Sequence, residues 1–175
     1  TLHMAAPSAF ETFHGIEELE KFFVLTKGTE QFLEFSRHNA KKRTLVLSSG
    51  AVFGGFDSTR LERISELERL APAYGSNFQA LSVGKRAVEF LTREFCNKNY
   101  LDASLARCFT FLGAGLPFDL HYAVGNFVVN ALTGRDIVIK GDGKPKRSYM
   151  HLGDMVFWII YFSIINESTA NKRFT

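Results

Sequence analysis

Short apolar segments with strand character alternate with longer segments of helical periodicity along this chain. The strand-like segments span residues 1–6, 44–49, 104–109 and 136–140, and the helical ones span residues 16–37, 81–95, 122–132 and 154–165. The resulting order βαβαβαβα predicts an α/β fold in which a parallel sheet is covered by helices on both faces. This alternation constrains the fold more strongly than any single motif.

One strand-like segment ends abruptly, in the sequence LVLSSGAVFG at residues 45–54. Its apolar run stops at Ser48, Ser49 and Gly50, and serine and glycine are common turn residues. A second interpretation is functional, because open parallel sheets bind ligands outside the carboxyl ends of their strands. Two long loops, at residues 53–77 and 113–117, also follow strands and would lie at that edge. The residues alone leave both interpretations open.

Composition excludes several classes of protein. The 175 residues are 46% hydrophobic and 22% charged with a net charge of +3, as expected for one soluble globular domain. The densest basic run, residues 37–43, lies between a helix and a strand and predicts a solvated turn, so no nucleic-acid partner is expected. The longest apolar run, residues 155–165, is far shorter than the roughly 20 residues that span a bilayer, so no membrane partner is expected.

The cysteines and histidines predict no metal site. Cys96 and Cys108 are isolated and lack metal-ligand spacing, and the five histidines form no metal pattern either. Two separate cysteines are typical of reduced core residues. The sequence therefore predicts a cytoplasmic protein.

Six motifs occur in order along nearly the whole chain. They are HMAAPSA, KGTEQFLEFSR, LVLSSGAVFG, GKRAVEFL, ARCFTFLGAGLP and IKGDGKPKRSYMHLGD. Together they resemble the extended short-chain dehydrogenase/reductase family of NAD-dependent sugar-nucleotide epimerases and dehydratases, in its dTDP-glucose 4,6-dehydratase-like and CDP-abequose-synthase-like branch. The resemblance implies a Rossmann-like sheet, NAD or NADP as cofactor, a nucleotide-diphosphate sugar as substrate and hydride transfer at the sugar. It also implies a role in polysaccharide biosynthesis and a homodimer.

The resemblance assigns catalytic roles to particular residues. Ser49 falls on the family's catalytic Ser/Thr position, and Lys85 falls on the lysine that lowers the pKa of a catalytic tyrosine and holds the cofactor ribose. The alternatives are a strand-end turn for Ser49 and an exposed helical lysine for Lys85. The family tyrosine precedes the lysine by four residues, but here that position is Leu81, which cannot transfer a proton and fits the apolar stripe of its helix. Tyr74 is the nearby tyrosine that would replace it, but it lies 11 residues before Lys85 and the two cannot meet across one helical turn. The alternative for Tyr74 is a loop turn before the helix.

Other positions would bind cofactor and substrate. By the same resemblance, Ala5, Ala6, Lys85 and Thr110 contact the cofactor. Ser49, Asn126 and Arg147 contact the substrate, with Arg147 on its diphosphate because a guanidinium matches phosphate oxygens.

Two further residues are assigned structural roles. His151 is expected to fix the preceding turn, and Asp154 is expected to cap the last helix.

One family feature is absent from these residues. The 175 residues contain no Gly-rich turn of the kind that holds the cofactor pyrophosphate. The chain is therefore expected to be a fragment that lacks the first strands and does not bind NAD by itself. Residues 1–112 are expected to form the C-terminal part of the NAD-binding domain. Residues 113–175 are expected to form mainly a substrate-binding region with further Rossmann-type elements.

The absent tyrosine leaves a second hypothesis for function. The first is an active NAD-dependent epimerase or dehydratase. The second is a catalytically degenerate homologue that binds nucleotide sugars or acts as a scaffold.

Overall fold

The structure is a computed structural model that describes most of the chain. The described residues are 1–7, 11, 15–39, 43–54, 64–66, 79–98, 100–115, 123–139 and 141–165. Strands and helices alternate through them. The strands are β1 (Leu2–His3), β2 (Thr44–Ser49), β3 (Ala103–Cys108), β4 (Thr110–Leu112) and β5 (Tyr149–His151). The helices are α1 (Glu18–Asn39), a 3-10 turn (Gly50–Phe53), α2 (Gln79–Asn97), α3 (Ala123–Leu132) and α4 (Leu152–Ile164).

The strands pair in parallel, as the alternation predicts. β2 lies between β1 and β3, and β4 pairs with β5. The β2–β3 register places Ser49 opposite Cys108, so both strands end together at one edge of the sheet. The predicted Rossmann-like α/β fold is confirmed, and Ser49 lies at the carboxyl edge of its sheet.

Helices α1 and α2 pack together on one face of this sheet. The core there is formed by Leu25 and Leu33 of α1, Val46 of β2 and Val88 of α2, all of which are almost fully buried. A Cβ atom on Gly84 would lie only 2.8 Å from Cδ1 of Leu25, so the absence of a side chain at Gly84 lets the two helices approach closely.

Helix α4 lies beside the other face of the sheet. It contacts β2, and its residues Trp158 and Ile159 line a cavity of about 460 Å³ together with Ala106 and Cys108 of β3. Alternate residues of a strand point to opposite faces, so Ala106 and Cys108 face away from Leu105, which packs against the α1–α2 core. The sheet is therefore covered on both faces.

Two predicted strands differ from the structure, and one observed strand was not predicted. Residues 136–139 form no strand, although Ile137, Val138 and Ile139 have strong strand propensity, because they are more than half exposed and pair with no neighbour. The strand that pairs with β4 is β5, Tyr149–His151. The first strand covers only Leu2–His3 and excludes Ala5 and Ala6.

The cap of the last helix also differs from the prediction. His151 is the N-cap of α4, and its Nδ1 accepts a 3.1 Å hydrogen bond from the backbone N–H of Gly153. Asp154 lies in the first turn, where its carboxylate interacts favourably with the positive end of the helix dipole but does not cap the helix. His151 thus has a structural role, but it caps the helix instead of fixing the preceding turn, and the cap predicted for Asp154 was wrong.

The apolar run in α4 is too short for a membrane span. Within the described residues, the helices contain no stretch long and apolar enough to cross a bilayer.

Candidate functional site

Ser49 combines the two roles considered for it. It caps the 3-10 turn with extended backbone angles, and its Oγ accepts a 3.1 Å hydrogen bond from the backbone N–H of Ala51. This contact uses the oxygen as an acceptor and leaves the hydroxyl proton available for donation. The turn interpretation is therefore confirmed, and it does not remove the chemistry that a ligand would need.

Helix α2 is fixed to the turn that follows Ser49. Ser82 Oγ donates to the carbonyl oxygen of Ala51 at 2.8 Å, and Arg86 Nε donates to that of Val52 at 2.7 Å. The Ala51 carbonyl also accepts a 3.1 Å hydrogen bond from the backbone N–H of Gly54, so the two side chains add to the backbone bonding of the turn. The end of β2 and the first half of α2 consequently form one rigid unit.

Lys85 lies within this unit and is buried, with 7% of its surface exposed. Its Nζ donates a 2.8 Å hydrogen bond to the carbonyl oxygen of Leu47, two residues before Ser49. Burial lowers the pKa of Lys85, and the neighbouring Cys108 thiol acts in the opposite direction. The alternative that Lys85 is an exposed helical lysine was wrong.

The end of β1 lies close to the same lysine. Burial, and then the charge of Lys85, lower the pKa of His3 below its ordinary value. His3 Nε2 is 3.1 Å from Thr29 Oγ1, and its ring stacks on Phe32 at a centroid distance of 4.3 Å. Ala5 and Ala6 follow His3 and are exposed. Their predicted contact with a cofactor stays a prediction.

The position of the family tyrosine holds a core residue. Leu81 is partly buried and packs against the Leu25, Leu33, Val46 and Val88 cluster. It offers no group for proton transfer. Tyr74, its predicted replacement, lies outside the described residues.

The remaining predicted residues lie on three separate elements. Thr110 begins β4, is partly buried and pairs with Tyr149 in the sheet register. Asn126 is exposed on α3, and Arg147 is exposed before β5 with its Nη1 donating to the carbonyl oxygen of Lys146 at 2.9 Å. The structure thus places the Lys85 ammonium against Leu47, two residues before Ser49, and the binding roles of all five residues stay predictions.

The sequence analysis missed a buried ionic network beside Ser49. The carboxylate of Glu89 receives two 2.8 Å hydrogen bonds from Arg107 and one 2.8 Å bond from Ser48 Oγ. The partners are 18 and 41 residues apart in sequence, a separation that no local motif reveals. Among the described residues, no group of His, Cys, Asp or Glu is arranged to hold a metal ion.

The geometry defines the class of protein. A parallel sheet with helices on both faces, and a hydroxyl and a buried ammonium at its carboxyl edge, is a Rossmann-like arrangement. The chain belongs to the NAD dependent epimerase/dehydratase family, whose model matches residues 2–171. The resemblance inferred from the six motifs is confirmed.

Curated relatives match part of the chain. UDP-glucuronic acid decarboxylase 4 of Arabidopsis thaliana is 34% identical over 73 residues, which are 42% of this chain and 16% of the relative. UDP-glucuronic acid decarboxylase 1 of Danio rerio is 24% identical over 88 residues, which are 50% of this chain and 21% of the relative. The chain therefore aligns with only a small part of these longer proteins.

Solved structures match almost all of the chain. UDP-glucuronic acid 4-epimerase from Bacillus cereus, in complex with UDP-glucuronic acid and NAD, superposes with a TM-score of 0.74 at 20% identity over 94% of this chain and 49% of that protein. The dTDP-glucose 4,6-dehydratase from Bacillus anthracis, in complex with NAD, gives a TM-score of 0.72 at 20% identity over 93% of this chain and 46% of that protein. The chain spans about half of each of them.

The described residues fit one half of the family's cofactor. The Lys85 ammonium has three N–H donors, of which one goes to Leu47, so donors remain for ribose hydroxyls. The contacts predicted for Ser49, Ala5 and Ala6 with the nicotinamide half stay predictions. The Gly-rich turn that would cradle the pyrophosphate does not occur in these 175 residues.

Proposed function

We propose that this chain carries part of the active site of an NAD-dependent enzyme that epimerises or dehydrates a nucleotide-diphosphate sugar. The observation that carries the proposal is the rigid unit formed by the end of β2 and helix α2. It holds the Ser49 hydroxyl and the buried Lys85 ammonium at one edge of the parallel sheet. Family membership and the nucleotide-sugar ligands of similar structures support the same function.

Ser49 and Lys85 have distinct roles in this proposal. NAD, when bound, supplies the hydride acceptor and donor. The Ser49 hydroxyl binds the sugar oxygen whose carbon loses the hydride, and the Lys85 ammonium holds the ribose of the cofactor. The positive charge of Lys85 also favours an anionic base near it.

The proton of that sugar hydroxyl must pass to a base as the hydride leaves. Leu81 cannot accept it, so the candidate for this role is Tyr74, which lies between Phe53 and α2 in the sequence. At the other end of the substrate, Arg147 binds the diphosphate through its guanidinium and Asn126 adds a polar contact.

The wider setting follows from the same proposal. The substrate class would place the enzyme in polysaccharide biosynthesis, in the cytoplasm, and the family resemblance suggests a homodimer with no nucleic-acid or membrane partner. We propose NAD instead of NADP as the cofactor because the similar solved structures contain NAD.

Turnover of nucleotide sugars tests the proposal. The intact protein, not the 175 residues by themselves, is incubated with NAD and UDP-, dTDP- or CDP-sugars, and NMR detects an epimerised or 4-keto product. Because positioned proton-transfer and hydrogen-bonding groups contribute roughly 10²-fold or more to such steps, Ser49→Ala should lower kcat by about that factor. Ser104→Ala is the matched control, since Ser104 lies near the amino end of β3 and binds Arg43. Equal rates for both variants would contradict the role of Ser49.

The base is tested separately, against the scaffold alternative. That alternative rests on Leu81 and has no support from the similar proteins. If the wild type turns over a sugar and Tyr74→Phe abolishes the reaction, Tyr74 is the base. If the wild type is inactive with every sugar and Leu81→Tyr creates activity, only the base was lost and the proposed catalytic function is wrong for this protein.

A further inference from the structure

A buried ion pair joins three elements next to the candidate site. Glu89 on α2 is 6% exposed, and its carboxylate accepts hydrogen bonds from both Nε and Nη2 of Arg107 on β3, each at 2.8 Å. Ser48 Oγ on β2 donates a third bond, also at 2.8 Å. Burial would raise the pKa of Glu89, but the hydrogen bonds from Arg107 and Ser48 outweigh it and lower the pKa, so the carboxylate is ionised at neutral pH.

Each member of this network adjoins a residue of the site. Ser48 precedes Ser49, Arg107 precedes Cys108, which is the register partner of Ser49, and Glu89 lies one helical turn after Lys85. The network therefore bonds the ends of β2 and β3 to the part of α2 that carries the lysine.

Arg107 extends the network to the turn and to the following loop. Its guanidinium lies 5.0 Å from the ring centre of Phe53, the last residue of the turn that Ser49 caps. Its Nη1 bonds both the backbone oxygen and the carboxylate of Glu66, at 3.0 and 2.5 Å. The Arg107 side chain thus contacts the turn that follows Ser49, Glu66 further along the chain, and helix α2.

The stability of the fold does not by itself explain why a charged pair, Glu89 and Arg107, occupies this buried position. Removing two ions from water is costly, and apolar residues of similar volume often stabilise a fold as well as a buried ion pair does. A bidentate guanidinium–carboxylate pair differs from apolar packing because it fixes distance and orientation. The physical advantage of Glu89 and Arg107 over an apolar pair is therefore geometric.

We propose that Glu89 and Arg107 are positioning residues that hold the Ser49 turn in register with Lys85. In its catalytic consequence this inference rests on the proposed function, because it assigns the network to the same reaction. Neither residue touches the reacting atoms; both act through Ser48, Phe53 and the backbone of the strand end.

Hydrogen exchange of backbone amides tests the geometry without any substrate. The Ala51 amide donates to Ser49 and the Gly54 amide donates to Ala51, so both report on the turn. Since hydrogen bonds to charged groups are among the strong ones, Glu89→Gln should lower the protection of these two amides roughly ten- to a hundredfold relative to the Val46 amide of the core. Glu94→Gln, on the same helix and bonded to Asn97, is the matched control and should change neither.

Two further variants separate positioning from simple charge balance. Arg107→Lys keeps the charge but loses the two-pronged contact, so it should loosen the turn almost as much as Glu89→Gln does. Ser48→Ala removes one hydrogen bond and no charge, and it keeps the test available if a charge variant fails to fold. The inference is overturned if the turn amides of Arg107→Lys keep the full protection of the wild type. It is also overturned if, in Glu89→Gln, the turn amides lose no more protection than the Val46 amide does.

Kinetics then connect the geometry to the reaction. Where turnover is observed, Glu89→Gln should lower kcat about tenfold or more and leave KM nearly unchanged, because the substrate contacts remain. The inference is overturned if the control variant Glu94→Gln lowers kcat as much as Glu89→Gln does. If the turn loosens as expected but no nucleotide sugar is turned over by the wild type, the proposed function fails while the positioning geometry stands.

Discussion

The ammonium of Lys85 donates a 2.8 Å hydrogen bond to the carbonyl oxygen of Leu47, which ties helix α2 to strand β2 two residues before Ser49. Burial lowers the pKa of Lys85 from its ordinary 10.5. The folded protein therefore releases this proton at a lower pH than the unfolded chain. Between the two pKa values the unfolded chain binds more protons, so the Lys85 contribution to stability rises with pH through that window.

Lys85→Met should remove this rise. We expect the free energy of unfolding of the wild type, minus that of Lys85→Met, to increase as the pH rises toward the ordinary lysine pKa of 10.5, as measured by urea denaturation. Lys27→Met is the control, since Lys27 lies over the Phe23 ring on the exposed side of α1. A difference that stays constant with pH would mean that Lys85 is not desolvated.

The close contact between Gly84 and Leu25 predicts opposite effects for two glycine substitutions. An alanine at either position adds about 1 kcal/mol of helix propensity. At Gly28 nothing lies within 4 Å of the added Cβ, so Gly28→Ala should stabilise the protein. At Gly84 the Cβ would lie 2.8 Å from Leu25 Cδ1, and overpacking of this kind costs typically about 1–3 kcal/mol. Thermal unfolding should therefore show that Gly84→Ala is less stable than Gly28→Ala by about 1–3 kcal/mol, the cost of overpacking. Equal stabilities would contradict the tight α1–α2 contact.

Arg147 is predicted to bind the substrate diphosphate. Hydrogen bonds to charged groups contribute roughly 1.5–3 kcal/mol, so Arg147→Ala should weaken nucleotide-sugar binding roughly ten- to a hundredfold. Lys144→Ala should cost much less, because Lys144 is exposed and lies 3.9 Å from Asp142, where its charge is screened. Calorimetric titration with UDP-, dTDP- and CDP-sugars measures both losses. Equal losses in the two variants would indicate a diffuse basic surface instead of a specific contact.

The 175 residues by themselves should bind NAD weakly. Most pyrophosphate and adenosine contacts in a Rossmann fold come from the Gly-rich turn and from an acidic residue about 20 positions beyond it. Ser49, Lys85, Thr110 and the Ala5–Ala6 segment would contact only the nicotinamide half. Calorimetric titration with NAD should therefore detect no micromolar binding, and micromolar affinity would refute this assignment of contacts.

The sequence predicted the elements whose apolar pattern is long and regular. β2 was predicted because an aliphatic run ends in Ser48 and Ser49, and its bounds match the structure. The stripe through Leu81 and Val88 gave helix α2, and Leu81 packs in the core as that stripe indicated. These patterns are local in the sequence, so they can be recognised without knowledge of the tertiary structure.

The errors have a common physical origin in contacts between distant segments. Residues 136–139 have the β-branched composition of a strand, but β4 pairs with Tyr149–His151, whose three residues are too few to show a period. The bonds of Glu89 to Ser48 and Arg107 are likewise formed only when three elements meet. Tertiary pairing decides such features, and no local propensity encodes it.

The central claim is that the carboxyl edge of the sheet binds a nucleotide sugar. The most direct test is a titration of the isotopically labelled chain with millimolar UDP-glucose, followed by ¹H–¹⁵N NMR of the backbone amides. The account predicts shift changes concentrated at Ser49, Asn126 and Arg147, with little change at exposed Phe35 on α1. Changes centred elsewhere, or none at millimolar ligand, would contradict it.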